Sequence, residues 1–442
     1  MYISKKLMTF RAVFAALFIL LSFVIFSGAG ASLSYIMHIE TAPAILSWIS
    51  GASAWAMLFV LLHMMLARFC GRVYCSVLCP LGILQDIANF VPFVKNTFRR
   101  DHANVRLLIA GTVGGLLFGA SAAGFFFLDP YSIFGRGVSA FVLGGTIPLA
   151  LVLLLTLFKR RFFCTYVCPV GTLLGTLSRN CMWQLKISDS CVNCGKCVKS
   201  CPAGCVEPGK KFLDNERCLR CMQCMSACPV KAIGFVRVQE KISVNRRSFL
   251  VRCGLTAAGF AAGYILSKTR ALQKLFSTEN SGIYPPGAAR REIFERKCTG
   301  CLLCTKVCPQ KIIVPAKNGI GPVSLDLSQN SCRYDCSRCG EVCPTGAIRK
   351  LSLPVKQHLK IAQAKFDPSV CIVFQEGTKC GKCSRACPAG AVTLRKSGAP
   401  RFNGKLCIGC GACHNVCPTE AFVIESIKEQ VTIEQVQRKN EK

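Results

Sequence analysis

The 442-residue chain is 51% hydrophobic and only 17% charged, against about 25% charged residues in an average soluble domain. That balance excludes a disordered tail and a plain cytosolic globule. With 55 Lys and Arg against 22 Asp and Glu the formal charge is +33, which by itself would point to nucleic acid or acidic lipid.

Four long apolar stretches fill the first third: residues 12–31, 45–67, 107–128 and 138–158. Each is long enough to span a hydrocarbon core of about 30 Å as a helix. Lys and Arg concentrate before the first stretch, between the second and third, and after the fourth. By the positive-inside rule those segments are cytoplasmic, and four spans with both ends inside are expected. Gly111, Gly114, Gly115 and Gly119 in the third stretch would allow close helix contact.

The cytoplasmic ends of this region carry a duplication. Arg72-Val73-Tyr74-Cys75-Ser76-Val77-Leu78-Cys79-Pro80-Leu81-Gly82 matches Arg161-Phe162-Phe163-Cys164-Thr165-Tyr166-Val167-Cys168-Pro169-Val170-Gly171 at every anchoring position. A helix hairpin ending in R-x2-C-x3-C-P-x-G therefore occurs twice. Two copies bring four thiols to one surface, the number one cubane needs, so Cys75, Cys79, Cys164 and Cys168 either hold a cluster or remain structural or redox-active thiols.

Two unbroken C-x2-C-x2-C-x3-C-P runs follow: Cys191, Cys194, Cys197, Cys201 and Cys218, Cys221, Cys224, Cys228. Three closely spaced cysteines face one 4Fe-4S cubane, while the fourth reaches the other. The expected sets are Cys191, Cys194, Cys197 with Cys228, and Cys218, Cys221, Cys224 with Cys201. Zinc sites seldom need this tandem pattern with its C-P endings.

Residues 248–267 form a weakly apolar, Gly- and Ala-rich segment behind Asn245-Arg246-Arg247-Ser248-Phe249-Leu250. Adjacent arginines at that place resemble a twin-arginine export signal, the alternative being a positive flank on a fifth span. Either way the rest of the chain is expected outside the cytoplasm, with the segment retained as an anchor.

Four more runs follow: Cys298, Cys301, Cys304, Cys308; Cys332, Cys336, Cys339, Cys343; Cys371, Cys380, Cys383, Cys387; and Cys407, Cys410, Cys413, Cys417. The second opens with C-x3-C and the third with C-x8-C. Sixteen ligands imply four further cubanes, with neighbouring runs paired or with a nested pairing of first to fourth and second to third. The six clusters would offset about twelve positive charges and leave roughly +21, so the basic balance does not require nucleic acid. Cys70, Cys181, Cys205 and Cys253 fall outside the quartets and read as free thiols. Only His38 and His63 lie in or beside a span, too few for two bis-histidine haems. His63 is a candidate quinone hydrogen-bond partner or a packing histidine. No G-x-G-x-x-G loop, P-loop or nucleophile triad is present.

The expected architecture is an α-helical four-span membrane module built from a duplicated helix hairpin (1–180), a cytoplasmic α+β ferredoxin domain (181–240), a twin-arginine or anchor helix (241–270) and an exported four-cluster polyferredoxin domain (271–442). The spans, C-x3-C-P loops and cytoplasmic runs resemble NapH-type membrane ferredoxins of the NosR/NapH family. From Arg246 onward the chain is similar to NapG/MauM-type polyferredoxins, so the whole resembles a fusion of the two. The resemblance implies six 4Fe-4S clusters, with a seventh at the C-x3-C-P loops left open, and quinol as substrate. It implies a quinol dehydrogenase subunit or electron carrier of a bacterial inner membrane, working with membrane lipid, the quinone pool and a periplasmic redox partner, in the first instance nitrate reductase. An assembly ferredoxin for an oxidase or copper enzyme, and an outward relay from a cytoplasmic ferredoxin, are the rival readings.

Overall fold

The computed structural model describes residues 2–49, 54–89, 102–119, 127–139, 143–238, 246–269, 282–288, 290–316, 321–427 and 429–432. It divides into two compact units, residues 1–30 with 37–274, and residues 31–36 with 275–442.

The described α-helices of nine or more residues in the first unit are α1 (Tyr2–Ser27), α2 (Thr41–Ile49), α3 (Ala54–Cys70), α4 (Pro80–Ala88), α5 (Ala103–Phe118), α6 (Pro130–Ser139), α7 (Leu143–Phe158), α8 (Pro169–Ser178) and α9 (Arg246–Ser267). Two stretches, Lys6–Ser27 and Arg246–Ser267, have the length and composition of a membrane crossing. The apolar helices α3, α5 and α7 are shorter, at 17, 16 and 16 residues. This differs from four uninterrupted spans. The stretch 45–67 belongs to two helices, α2 and α3, which pack on each other. The stretch 138–158 begins on the last two residues of α6 and continues as α7. Hydropathy merges such neighbours because the half-length helices are themselves apolar and buried. Parts of the second, third and fourth stretches (50–53, 120–126, 140–142) and Asn245 lie outside the described residues.

The duplication is larger than the cysteine loops. Thr41 and Pro130 start α2 and α6, Ala54 and Leu143 start α3 and α7, and Pro80 and Pro169 start α4 and α8; each pair is 89 positions apart. Proline at the first position of α4 and α8 follows Cys79 and Cys168, whose extended backbone ends the preceding turn.

Helix α9 packs along α5 through small residues on both sides. A Cβ on Gly111 would stand 2.3 Å from the Thr256 carbonyl oxygen, and one on Gly115 2.0 Å from that of Phe260. On the other face, a Cβ on Gly259 would stand 2.4 Å from the Leu108 oxygen and one on Gly263 2.1 Å from that of Thr112. The paired numbers rise together, so the helices run parallel with their backbones nearly touching. Their first two turns are tied by one carboxylate. Glu216 accepts from Arg106 Nη2 at 2.8 Å and from both terminal nitrogens of Arg252 at 3.2 Å. Gly115→Leu drives its side chain into the α9 backbone, an overpacking that costs about 1–3 kcal/mol or more. Thermal unfolding in detergent is expected to shift several degrees lower. Gly114, whose Cβ would meet only the Phe260 ring at 3.5 Å, tolerates Ala; equal stability losses at both positions would contradict this packing.

Residues 183–237 of the first unit have an α+β plan. Strand β1 (Trp183–Ile187) pairs antiparallel with β4 (Ile233–Arg237), from Trp183↔Arg237 to Ile187↔Ile233, and β2 (Val206–Glu207) pairs with β3 (Phe212–Leu213). Short helices at Lys196–Ser200 and Gln223–Ala227 pack together between them. In the second unit one module shows the inner hairpin of this plan among its described residues, and the other repeats the plan with both strand pairs. One module has the hairpin Ile313–Val314 with Ser324–Leu325; the other pairs Gln363–Phe366 with Phe422–Glu425 and Val392–Leu394 with Pro400–Phe402.

Candidate iron–sulfur and thiol sites

A recurrent backbone step aims the cysteines. The residue after the second cysteine of a run is left-handed in five of six runs: Gly195 (φ 70), Met222 (φ 62), Leu302 (φ 64), Gly381 (φ 85) and Gly411 (φ 88). Each starts a one-turn helix carrying the third cysteine. In the run Cys332, Cys336, Cys339, Cys343 this place is taken by Ser337 at φ −130, so the C-x3-C opening replaces the left-handed step. The third run keeps the step at Gly381; its irregularity lies upstream, where Cys371 is buried at the start of the short helix Ile372–Gln375.

Tertiary structure groups the ligands across runs. Cys201 lines one pocket with Cys218, Cys221 and Cys224, walled by Leu185, Val206, Leu213 and Leu219. Cys191, Cys194 and Cys197 lie within electrostatic range of one another, and the Cys228 sulfur accepts from Ala232 N–H at 3.2 Å. In the second unit, Cys298 and Cys301 face Cys343. Cys308 lines one pocket with Cys332, Cys336 and Cys339. Cys387 lines another with Cys407, Cys410 and Cys413, and Cys383 faces Cys380 and Cys417. Neighbouring runs are therefore the ones brought together, which decides against nesting. The middle two sets also adjoin, because Cys332 N–H donates to the Cys410 carbonyl at 2.9 Å.

These sites fit iron–sulfur cubes by their donor chemistry. Burial, then the neighbouring thiols, pushes Cys301 up to about 12 and Cys413 up to about 12; burial, then the neighbouring thiol of Cys201, pushes Cys221 up to about 12. Such thiols ionise only against cationic iron, so loading releases protons. Among the described residues no three Cys, His, Asp or Glu side chains converge closely enough for a single ion. Thiolates that bind different corners of a cube sit farther apart than four ligands of one zinc.

Of the four cysteines outside the quartets, Cys253 is exposed and Cys70 half-buried. Cys181 accepts from Arg220 Nη2 at 2.9 Å. Cys205 lies 3.5 Å, sulfur to sulfur, from Cys201 in the same cavity, a position that its C-P-A-G-C context alone did not disclose.

The duplicated loops converge. Cys75, Cys79, Cys164 and Cys168 are all buried, and Cys79 and Cys168 each lie within electrostatic range of the other three thiols. The two arginines cross between copies: Arg72 Nη2 donates to the Cys164 carbonyl at 2.8 Å, and Arg161 Nη1 to the Cys75 carbonyl at 2.9 Å. Both are essentially inaccessible to solvent, and Arg161 is held by Asp86 at 2.5 Å. N–H groups also reach the sulfurs: Gln85 Nε2 to Cys164 at 3.3 Å, Gly171 N to Cys168 at 3.3 Å, and Arg72 Nη2 to Cys75 at 3.9 Å. The ferredoxin domain rests on this surface through Arg217 Nη1 to Tyr166 Oη at 3.2 Å. Arg161 lies within range of both Cys164 and Cys221.

Comparison with known proteins agrees with this geometry. A family model described as a 4Fe-4S binding domain matches residues 52–99 and 141–187, the two halves carrying the C-x3-C-P loops. Two models described as 4Fe-4S dicluster domains match residues 190–232 and residues 297–348 with 377–422. The chain carries 4Fe-4S ferredoxin domains. It is similar to the methylamine utilization ferredoxin-type protein MauN of Paracoccus denitrificans, 36% identical over 139 residues, covering 30% of this chain and 48% of that protein. The putative electron transport protein YccM of Escherichia coli is 29% identical over 169 residues, covering 34% and 46%. The ferredoxin-type protein NapH of the same organism is 32% identical over 138 residues, covering 30% and 47%. The chain thus spans about half the length of the curated relatives it matches.

Proposed function

We propose that this chain is a membrane-anchored carrier that oxidises quinol and delivers electrons to a reductase outside the cytoplasmic membrane, of the nitrate-reductase kind. The observation that carries the reading is the four-thiol site, set between apolar helices on one side and the Cys201, Cys218, Cys221, Cys224 site on the other. When bound, the cubes supply one-electron storage and transfer. The chain contributes ligands, apolar walls and fixed N–H donors to the sulfurs, the features that set cluster potentials. A seventh cluster at Cys75, Cys79, Cys164 and Cys168 is part of the proposal, as are the fourth ligand Cys228 and the placing of Cys371 with Cys380, Cys383 and Cys417.

Residues 298–417 are proposed to lie on the periplasmic side and residues 191–228 in the cytoplasm, the arrangement of a NapH-like module continued by a NapG/MauM-like one. The parallel course of α5 and α9 from a shared Glu216 supports this, since both helices then leave the same face. In right-side-out spheroplasts an impermeant thiol reagent is expected to label cysteines beyond Cys298 in metal-stripped protein and to spare Cys191–Cys228. Labelling of both regions from one side would overturn the topology. A menaquinol or ubiquinol analogue should reduce the clusters of detergent-purified protein, followed by electron paramagnetic resonance. Reduction by a cytoplasmic ferredoxin and by no quinol would replace this reading with an outward relay.

A further inference from the structure

The repeat places an acid in each half where none is needed for cluster binding. Glu40 and Asp129 are 89 positions apart, each the residue immediately before its short helix, α2 or α6. They are 1% and 0% exposed and lie within electrostatic range of each other. Each is held by one oxygen. Glu40 Oε2 accepts from the Tyr74 hydroxyl, and Asp129 Oδ2 accepts from Ser132 N at 2.8 Å and Ser132 Oγ at 2.7 Å. The other oxygens, Glu40 Oε1 and Asp129 Oδ1, are buried without a partner, and so is Thr41 Oγ1 beside Glu40. A buried acceptor left unpaired costs about 1–3 kcal/mol, more for a charged group, so two carboxylate oxygens and a hydroxyl left open in one neighbourhood, with the Arg136 guanidinium beside Asp129, mark a place that a ligand's hydroxyl donor would complete.

The surroundings narrow what that donor is. Phe26 packs on Tyr131 and Phe134 with ring centroids 5.4 and 5.7 Å apart. His63 stands edge-on to Tyr74 at 4.9 Å, its Nδ1 bonded to the Phe59 carbonyl at 2.8 Å. His63 therefore braces the tyrosine that holds Glu40. Arg136 lies near Asp129, and Cys79 near Glu40. A flat apolar body with hydroxyl donors on opposite edges matches two carboxylate acceptors that have aromatic side chains close by in the chain and in space, Tyr74 bonded to Glu40 and Tyr131 packed on Phe26 two residues after Asp129; a hydrated cation does not. We propose that Glu40 and Asp129, with Thr41, form the headgroup site for a quinol, each free carboxyl oxygen accepting from one hydroxyl. This rests on the quinol reading above and names the residues that would bind the substrate.

The test is binding of a hydroxyquinoline N-oxide, a fluorescent quinol analogue, to the detergent-purified full chain with its iron loaded. Glu40→Gln and Asp129→Asn are each expected to weaken binding by about ten-fold or more, the effect of losing a charge-assisted acceptor, with iron content unchanged. Binding within two-fold of wild type in both variants would overturn the site. If either variant loses iron, Thr41→Val decides in its place: weaker binding supports the site and unchanged binding overturns it. Should wild type fail to bind the analogue while quinol still reduces its clusters, the site is wrong and the electron-transfer reading survives. Should the variants abolish binding in a protein whose clusters quinol never reduces, the site stands and that reading falls.

Discussion

Exchanging Cys79 and Cys168 together for Ala is expected to lower the iron of anaerobically purified protein from about 28 to about 24 per chain, while the clusters of residues 298–417 keep their signals. The two sulfurs come from opposite copies of the repeat, so each half keeps one cysteine and neither helix loses its proline start. The crossing bonds of Arg72 and Arg161 go to backbone carbonyls rather than to the removed sulfurs, so the fold of the loops should survive. Two buried guanidiniums beside four thiols, with Asp86 paired to Arg161, also match a site that carries further negative charge: buried cations are costly without counter-charge, and thiolates around a cube supply it. Quinol-driven reduction of the Cys201, Cys218, Cys221, Cys224 cluster should slow in the same variant. Wild-type protein with about 24 irons, unchanged by the double substitution, would show these loops to be metal-free thiols.

Legibility in the sequence followed the range of the interactions. The cysteine runs were readable because a cube needs three thiolates on one tight turn, a requirement met within a dozen residues. Which run lends its last cysteine to which was unreadable in the second unit, since it depends on packing between segments such as Cys308 and Cys332. The repeat was visible at Arg72 and Arg161, where the chemistry is identical. It was hidden at Glu40-Thr41-Ala42-Pro43 and Asp129-Pro130-Tyr131-Ser132, where only the acid and the helix start are preserved. Hydropathy fused α2 with α3 because both are apolar. The glycines of α5 announced a close contact without naming α9, whose matching Gly259 and Gly263 sit in a segment that sequence alone presents as an export signal. Glu216, two residues before Cys218, ties α5 and α9 together near their starts, a role that needs the folded chain to be seen.

Replacing Lys356 by Met is expected to lower the reduction potentials of the two middle clusters of the second unit, by roughly 60 mV if the cation shifts each one-electron equilibrium about ten-fold. Lys356 is fully buried; its Nζ donates to the Arg333 carbonyl and lies 5.9 Å from the Tyr334 ring centroid. It is within electrostatic range of Cys332 and of Cys410, which belong to adjoining sites. Reduction adds a negative charge to a cube, and a nearby buried ammonium stabilises the reduced form more than the oxidised one. One side chain thus raises two neighbouring potentials together, keeping them matched where Cys332 N–H meets the Cys410 carbonyl. Met fills the same volume without charge, so iron content should stay constant. In a redox titration followed by electron paramagnetic resonance, the sets around Cys298 and Cys383 should move little. Unchanged middle potentials, or an equal shift in all four clusters, would show that Lys356 serves packing alone.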